Sequence, residues 1–291
     1  MLKLALGIAA AILLMGRAEA QPSSATISIV AAENFYGDVA QQVAGPNATV
    51  ISILSNPDQD PHLFEASPSV ARSLSSAAIA VSNGADYDPW MAKLLGAARS
   101  ANRNVIIVAN LVHRKAGDNP HLWYDPATMP VYAKAVAVAL GERDPGHKAD
   151  YDQRLQVFLT SLQPMQAKIV ELRSKFTGIP VTATEPVVGY LAAALGLKMR
   201  NERFQLAVMN DTEPRASDVG AFENDLRKRQ VRLLFYNSQA SDAVAQRMVR
   251  IARDAKIPVV GVTETEPPGT TFQDWMMGEL NAIAQALSNP L

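Results

Sequence analysis

Short segments rich in β-branched residues alternate with helix-like segments along this chain of 291 residues, and the alternation occurs twice. In the first half, strands are predicted at residues 25–30, 48–54, 77–81 and 104–108, and helices at residues 36–43, 69–76 and 89–98. In the second half, strands are predicted at residues 179–184, 231–237 and 257–263, and helices at residues 187–194, 216–229 and 242–255. Such alternation is typical of βαβ units on a parallel sheet. The sequence therefore predicts an α/β fold with two parallel-sheet lobes.

The segment between the two halves is predicted to form one long helix over residues 144–176. Its apolar residues recur mostly at three- and four-residue steps, as in Leu155, Phe158, Leu162 and Ile169. Pro164 should bend or split this helix, because proline removes an internal hydrogen bond and clashes with the preceding turn. We therefore predict an N-terminal lobe at residues 21–143 and a C-terminal lobe at residues 177–291, joined by this rigid linking helix.

The N-terminus has the pattern of a secretory signal peptide over residues 1–20. Lys3 precedes an apolar stretch at residues 4–15, and the small residues Ala18 and Ala20 mark a cleavage site. The stretch is shorter than the roughly 18–20 residues that span a bilayer, so we expect export and not a membrane-spanning protein. We expect the mature chain to begin at Gln21 and to reside in the periplasm.

Composition excludes several classes of function. The sequence has no cysteine, so a lipid anchor, disulfides and thiolate metal sites are not expected. The formal net charge is −1, and no basic patch with interleaved aromatic residues is present, so nucleic-acid binding has no electrostatic basis.

Two histidines occur in the same local context, at residues 60–65 (DPHLFE) and 119–124 (NPHLWY). Proline before His62 and before His121 stiffens the backbone from which each imidazole leaves. Asp60 and Asn119 could orient the imidazoles as hydrogen-bond partners. Two unrelated surface turns remain the alternative interpretation of this pair.

Two glutamates each follow a predicted strand of the second half directly. Glu185 comes after the strand at residues 179–184, and Glu264 after the strand at residues 257–263. Ligands of open parallel sheets bind outside the carboxyl ends of the strands, so both carboxylates should project into that crevice. A single glutamate at such a position is otherwise a solvated loop residue or a helix cap.

Two imidazoles and two carboxylates form a donor set that suits zinc, manganese or ferrous iron. The absence of cysteine and of clustered methionine argues against copper(I). The four residues are far apart in sequence, so only the fold can bring them together.

The sequence resembles the zinc- and manganese-binding solute-binding proteins of ABC transporters over essentially the whole mature chain. The segments that carry the resemblance are residues 31–35, 60–68, 83–90, 121–126 and 185–197. The resemblance implies two α/β lobes joined by a long helix, with one metal ion held in the cleft by four residues.

The resemblance also implies which residues are metal ligands. The first two are His62 and His121, and the third is Glu185. The third position is histidine in typical zinc members of the family and glutamate in many manganese members. The family usually has aspartate at the fourth position, where this chain has Glu264, with Glu266 as the alternative. The histidine-rich loop of zinc members is reduced to residues 113–118. His113 and His147 are interpreted as a solvated loop residue and a structural residue.

The sequence thus predicts a monomeric periplasmic component of an ABC importer and not an enzyme. It is expected to capture one Mn²⁺ or Zn²⁺ ion, with Fe²⁺ as a third candidate, and to deliver it to an inner-membrane permease. A secreted zinc-dependent hydrolase is the main alternative, since two histidines, one glutamate and a water form a common catalytic zinc set. No His-Glu-x-x-His motif is present. An adhesin of the same fold is a third interpretation, disfavoured by the missing lipid-anchor cysteine.

Overall fold

The computed structural model describes residues 26–56, 64, 67–239 and 243–288. In the first lobe the strands are β1 (Ile27–Glu33), β2 (Ala48–Leu54), β3 (Ile79–Ser82) and β4 (Asn104–Ile107). The helices of this lobe are α1 (Asn34–Ala44), α2 (Pro68–Ser76), α3 (Pro89–Ala97), α4 (Val108–Leu111) and α5 (Thr128–Arg143). The strands are parallel and lie in the order β2-β1-β3-β4.

Two helices connect the lobes, α6 (Lys148–Ser161) and α7 (Gln163–Phe176), preceded by a 3-10 turn at Pro145–His147. The predicted single helix is therefore interrupted at Leu162, where the next helix begins with Pro164 in its first turn. This is where proline is tolerated, because the first amides of a helix have no internal acceptor. Helix α6 packs on α1 and α5 of the first lobe, whereas α7 packs against the second lobe.

The second lobe repeats the arrangement of the first. Its parallel strands are β5 (Pro180–Ala183), β6 (Lys198–Arg200), β7 (Leu234–Asn237) and β8 (Val259–Val262), in the order β6-β5-β7-β8. Its helices are α8 (Gly189–Ala194), α9 (Glu202–Met209), α10 (Ala216–Arg227), α11 (Ala243–Asp254) and α12 (Phe272–Ser288). The fold class predicted from the sequence, two parallel-sheet α/β lobes with a helical connection, is confirmed. In each sheet the order of successive strands reverses beside the first strand, β1 or β5, so the carboxyl ends of the strands form a crevice there.

A continuous hydrophobic core joins the two lobes. Phe35 of α1 stacks on Trp123 with ring centroids 4.4 Å apart and lies 6.0 Å from Trp275 of α12. Tyr124 contacts the same Trp275 ring at 5.8 Å. Trp275 is therefore a residue of the interface between the lobes. Among the described residues, no helix has both the length and the apolar character needed to cross a bilayer.

Glu279 on the buried face of α12 makes folding depend on pH. Burial raises the pKa of Glu279 to about 7 from a usual value of 4.5. The Glu279 carboxyl thus binds its proton more tightly in the folded state than in the unfolded state. The stabilisation that the protonated Glu279 contributes is fully present below pH 4.5 and is lost as the pH rises through 7.

We expect Glu279→Gln to raise the free energy of unfolding at pH 8 by up to about 3 kcal/mol, with little change at pH 4, because each pKa unit is worth about 1.4 kcal/mol. Urea denaturation at the two pH values measures this, with the exposed Glu213→Gln as the control. An equal effect of Glu279→Gln at both pH values would contradict the assignment.

Candidate metal centre

His121 is buried at the interface between the lobes, directly before a 3-10 turn at Leu122–Tyr124. Asn119 contacts both the backbone and the ring of His121. Its Oδ1 atom accepts from the His121 backbone N–H at 3.1 Å and lies 2.7 Å from His121 Nδ1. The Asn119 amide nitrogen donates to the Pro186 carbonyl at 2.7 Å, which fixes the orientation of this side chain. Nδ1 therefore carries the proton of the neutral ring, and the lone pair is on Nε2, the atom that a metal ion would need. The predicted orienting role of Asn119 is confirmed.

The turn between β3 and α3 packs against the segment that carries His121, through a hydrogen bond to Pro120. Asn83, fully buried, donates to the Pro120 carbonyl at 2.9 Å and accepts from the Tyr36 hydroxyl at 2.7 Å. Asp88 closes the turn by accepting from the backbone N–H groups of Asn83 and Gly84, at 2.7 and 2.8 Å. Burial raises the pKa of Asp88 to about 6, because desolvation outweighs these hydrogen bonds.

The same turn aims Tyr87 at the site. Gly84, Ala85 and Asp86 all have positive φ, a left-handed run that turns the chain sharply before Tyr87. The Tyr87 ring lies edge-on to His121 with centroids 6.0 Å apart, and its hydroxyl donates to Glu264 Oε2 at 3.0 Å. Tyr87 thus links the first lobe to a carboxylate of the second.

Glu264 lies just beyond β8 and is almost completely buried, with 1% of its surface exposed. Its Oε2 atom is 3.4 Å from His121 Nε2. Its Oε1 atom accepts from Asn237 Nδ2 at 2.7 Å, and its backbone N–H donates to the Gln239 side-chain oxygen. The carboxylate of one lobe therefore faces the imidazole of the other.

Glu185 follows β5 and precedes a 3-10 turn at Pro186–Val188. Pro186 begins this turn, where a missing N–H costs nothing. The buried Glu185 carboxylate accepts from Asn237 Nδ2 at 3.2 Å. Asn237, at the carboxyl end of β7, therefore contacts both Glu185 and Glu264, and Glu264 in turn faces His121.

Glu266, the alternative fourth ligand, lies in a different environment. Its backbone N–H and carbonyl pair with the Asn34 side chain at 3.1 and 2.7 Å, and its Oε2 atom has no hydrogen-bond partner. Burial, with the nearby carboxylates Asp38 and Asp274, raises the pKa of Glu266 to about 9.

His62 lies outside the described residues, as do Asp60 and the rest of residues 57–63. Within the described ranges, no three His, Asp or Glu side chains are arranged to hold a metal ion by themselves. The ligand set of His62, His121, Glu185 and Glu264 therefore stays a prediction.

The remaining two histidines lie elsewhere. His113 is an exposed loop residue with positive φ, and His147 Nδ1 pairs with Asp144 at 2.6 Å near the start of α6. Trp123 is buried and packs against His121 with ring centroids 5.3 Å apart.

Three residues of the site were missed from the sequence: Tyr87, Asn237 and Gln239. Asn237 is the last residue of β7, so the rule that singled out Glu185 and Glu264 by their position at strand ends applies to it as well. Tyr87 had no comparable signal, because its orientation depends on the left-handed turn before it.

Two α/β lobes with the same strand order, holding an imidazole and two carboxylates at their interface, define a two-lobed solute-binding protein. The family model of ZnuA, described as zinc-uptake complex component A periplasmic, matches residues 29–286. The chain belongs to this family and is the solute-binding component of a metal ABC importer.

Curated relatives and solved structures agree with this assignment. The manganese ABC transporter substrate-binding lipoprotein scaA of Streptococcus gordonii is 24% identical over 290 residues, covering 91% of this chain and 90% of that protein. The manganese ABC transporter substrate-binding lipoprotein PsaA of Streptococcus pneumoniae is 23% identical over 290 residues, with 91% of each chain covered. The periplasmic zinc-binding protein TroA from Treponema pallidum shares the fold, with a TM-score of 0.76 at 19% identity over 90% of this chain and 99% of TroA.

Proposed function

We propose that this protein captures one divalent transition-metal ion between its lobes through His62, His121, Glu185 and Glu264. The observation that carries the proposal is the contact between His121 Nε2 and Glu264 Oε2, 3.4 Å apart and buried at the lobe interface. Asn119 holds the proton on Nδ1, so Nε2 presents its lone pair towards that carboxylate. Two carboxylates also neutralise the charge of a divalent ion, which would otherwise be costly to bury.

Manganese and zinc are the two proposed cargoes, with ferrous iron as the third. The named relatives scaA and PsaA are manganese transporter components, whereas TroA is a zinc-binding protein. A related periplasmic metal-binding protein from candidatus Liberibacter asiaticus has structures described as manganese-bound and cadmium-bound. Intrinsic affinity follows the Irving–Williams order, which places zinc above manganese for most sites of this kind.

The protein is proposed to act as a monomer in the periplasm and to deliver its ion to an inner-membrane ABC permease. The signal-like pattern of residues 1–20 supports export, and the family description names a periplasmic component. Transport, and not catalysis, is supported by the relatives, which are substrate-binding proteins of ABC transporters. The comparisons give no support to a zinc-dependent hydrolase.

Calorimetric titration of metal-stripped protein with Zn²⁺ and with Mn²⁺ tests the proposal. One ion per chain is expected, with no binding of either ion to a His121→Ala protein at concentrations that saturate the wild type. Two equivalent ions, or unchanged binding by the variant, would contradict the proposed site. Hydrolysis of ester, peptide or phosphate substrates by the zinc-loaded protein would favour the enzyme.

Asn119→Ala is expected to weaken metal binding by about 10- to 100-fold, the usual cost of losing a hydrogen-bond partner of a ligand. Asn119→Asp keeps an oxygen for the Nδ1 proton and should lose less affinity than the alanine variant. Zinc titrations of the two variants measure this, with the exposed Asn102→Ala as a control. Equal losses for Asn119→Ala and Asn119→Asp would mean that the contact with the Pro186 carbonyl is what matters.

A further inference from the structure

We propose that Gly189 and Tyr190, at the start of α8 in the second lobe, are positioning residues for His121 of the first lobe. The inference rests on the ligand role proposed for His121 above, and it concerns two residues that are not themselves ligands. Its basis is a set of contacts that α8 and the 3-10 turn before it make with Asn119, the residue that orients the imidazole.

Asn119 is held by the second lobe at both its side chain and its backbone. Its side-chain amide donates to the Pro186 carbonyl at 2.7 Å, and its backbone carbonyl accepts from the Tyr190 hydroxyl at 2.8 Å. The Oδ1 atom of the same side chain lies 2.7 Å from His121 Nδ1. Both hydrogen bonds to the second lobe therefore involve the residue that fixes the His121 ring. A shift of α8 relative to the first lobe would move Asn119, and with it the direction of the His121 Nε2 lone pair.

The ring of Tyr190 is held separately from its hydroxyl. The Arg114 guanidinium, in the loop after α4 of the first lobe, lies over this ring at 4.9 Å from the centroid. A cation over the face of an aromatic ring is attracted to it. This contact does not involve the hydroxyl, so Tyr190→Phe removes the hydrogen bond to Asn119 and leaves the ring in place.

Gly189 allows the closest approach between α8 and Asn119. A β-carbon added at Gly189 would lie 2.8 Å from Asn119 Nδ2, well inside normal contact distance. The backbone of Gly189 is helical, with φ −53 and ψ −46, so its conformation does not require glycine. The requirement comes from Asn119, whose amide lies between Pro186 and His121 and can move away only by weakening one of these contacts.

Zinc affinity and the rate of zinc dissociation test the inference. We expect Gly189→Ala to weaken zinc binding by about tenfold or more, within the range known for partners of metal ligands. Tyr190→Phe loses one hydrogen bond and should weaken binding by up to about tenfold. In both variants stopped-flow transfer of zinc to a chelator should show faster dissociation, because the wild-type contacts hold the imidazole on the bound ion. The matched control is Gly220→Ala in α10, where an added β-carbon meets nothing within 4 Å, and its affinity and rate should equal those of the wild type.

A double variant separates a positioning role from a merely structural one. If Gly189→Ala acts by displacing the Asn119 amide, it should cost little further affinity in an Asn119→Ala protein, which has space for the added carbon. Tyr190→Phe should still weaken binding in Asn119→Ala, because the hydroxyl contacts a backbone carbonyl that this substitution keeps. An equal loss from Gly189→Ala in the wild type and in Asn119→Ala would overturn the positioning role of Gly189.

Failure of this inference can be separated from failure of the proposed site. If His121→Ala loses zinc while Gly189→Ala and Tyr190→Phe keep the wild-type affinity and dissociation rate, the inference is overturned and the site stands. If His121→Ala binds zinc as the wild type does, the site and the inference fall together. Urea denaturation shows whether each variant is folded. Tyr190→Phe removes a single oxygen atom, so it decides the question even where Gly189→Ala does not fold.

Discussion

Glu264→Ala is expected to weaken metal binding on the order of 100-fold or more. Zinc binds to a structural four-ligand site with a free energy of about 10–16 kcal/mol, so one ligand accounts for roughly 3 kcal/mol of binding free energy. Each 1.4 kcal/mol corresponds to about a tenfold change in affinity. Removing Glu264 also leaves Tyr87 and Asn237 without the carboxylate to which both donate. Competition titration against a zinc-binding dye of known affinity measures the loss.

Glu266→Ala is the matched control for this result, because it removes a buried glutamate two positions along the same loop. Its backbone pairing with Asn34 survives in the variant, and its carboxylate is influenced by the charges of Asp38 and Asp274. Metal affinity should stay within a few-fold of wild type. The reverse outcome, a large loss for Glu266→Ala and a small one for Glu264→Ala, would make Glu266 the fourth ligand.

The strands of the fold could be predicted largely because buried parallel strands are short apolar runs. The predicted strand at residues 77–81 overlaps the buried strand β3, and the predicted strand at residues 231–237 contains the largely buried strand β7. β6 was missed, since its three residues lie at a sheet edge, are not buried and include Lys198 and Arg200. An edge strand of this kind is defined by pairing with β5 and not by its own pattern.

The site could be predicted only where a single local rule was sufficient. Glu185 and Glu264 follow apolar strands, and the repeated Pro-His segment marks His121. Asn237 contacts both glutamates because β7 lies between β5 and β8 in the sheet, and the sequence does not display this strand order. Its contact with both glutamates arises because they flank the same strand end.

Glu185→His is expected to lower manganese affinity on the order of 100-fold while changing zinc affinity by less than about tenfold, because manganese favours carboxylate oxygen and zinc accepts imidazole equally well. The substitution removes one negative charge next to a divalent ion and replaces an oxygen donor with a nitrogen donor. It also removes the Glu185 oxygen that Asn237 contacts at 3.2 Å, while the shorter contact to Glu264 remains. The rest of the site should therefore keep its geometry.

Competition titrations of wild type and Glu185→His with both metals at one pH measure this change in selectivity. Glu185→Gln is the informative companion, because it removes the charge but keeps an oxygen donor. If charge dominates, Glu185→Gln and Glu185→His should lose manganese affinity to the same extent. If the oxygen donor dominates, the glutamine variant should retain more manganese affinity than the histidine variant. Equal losses of zinc and manganese affinity in Glu185→His would mean that residue 185 binds either metal without discrimination, and that selectivity arises elsewhere in the site.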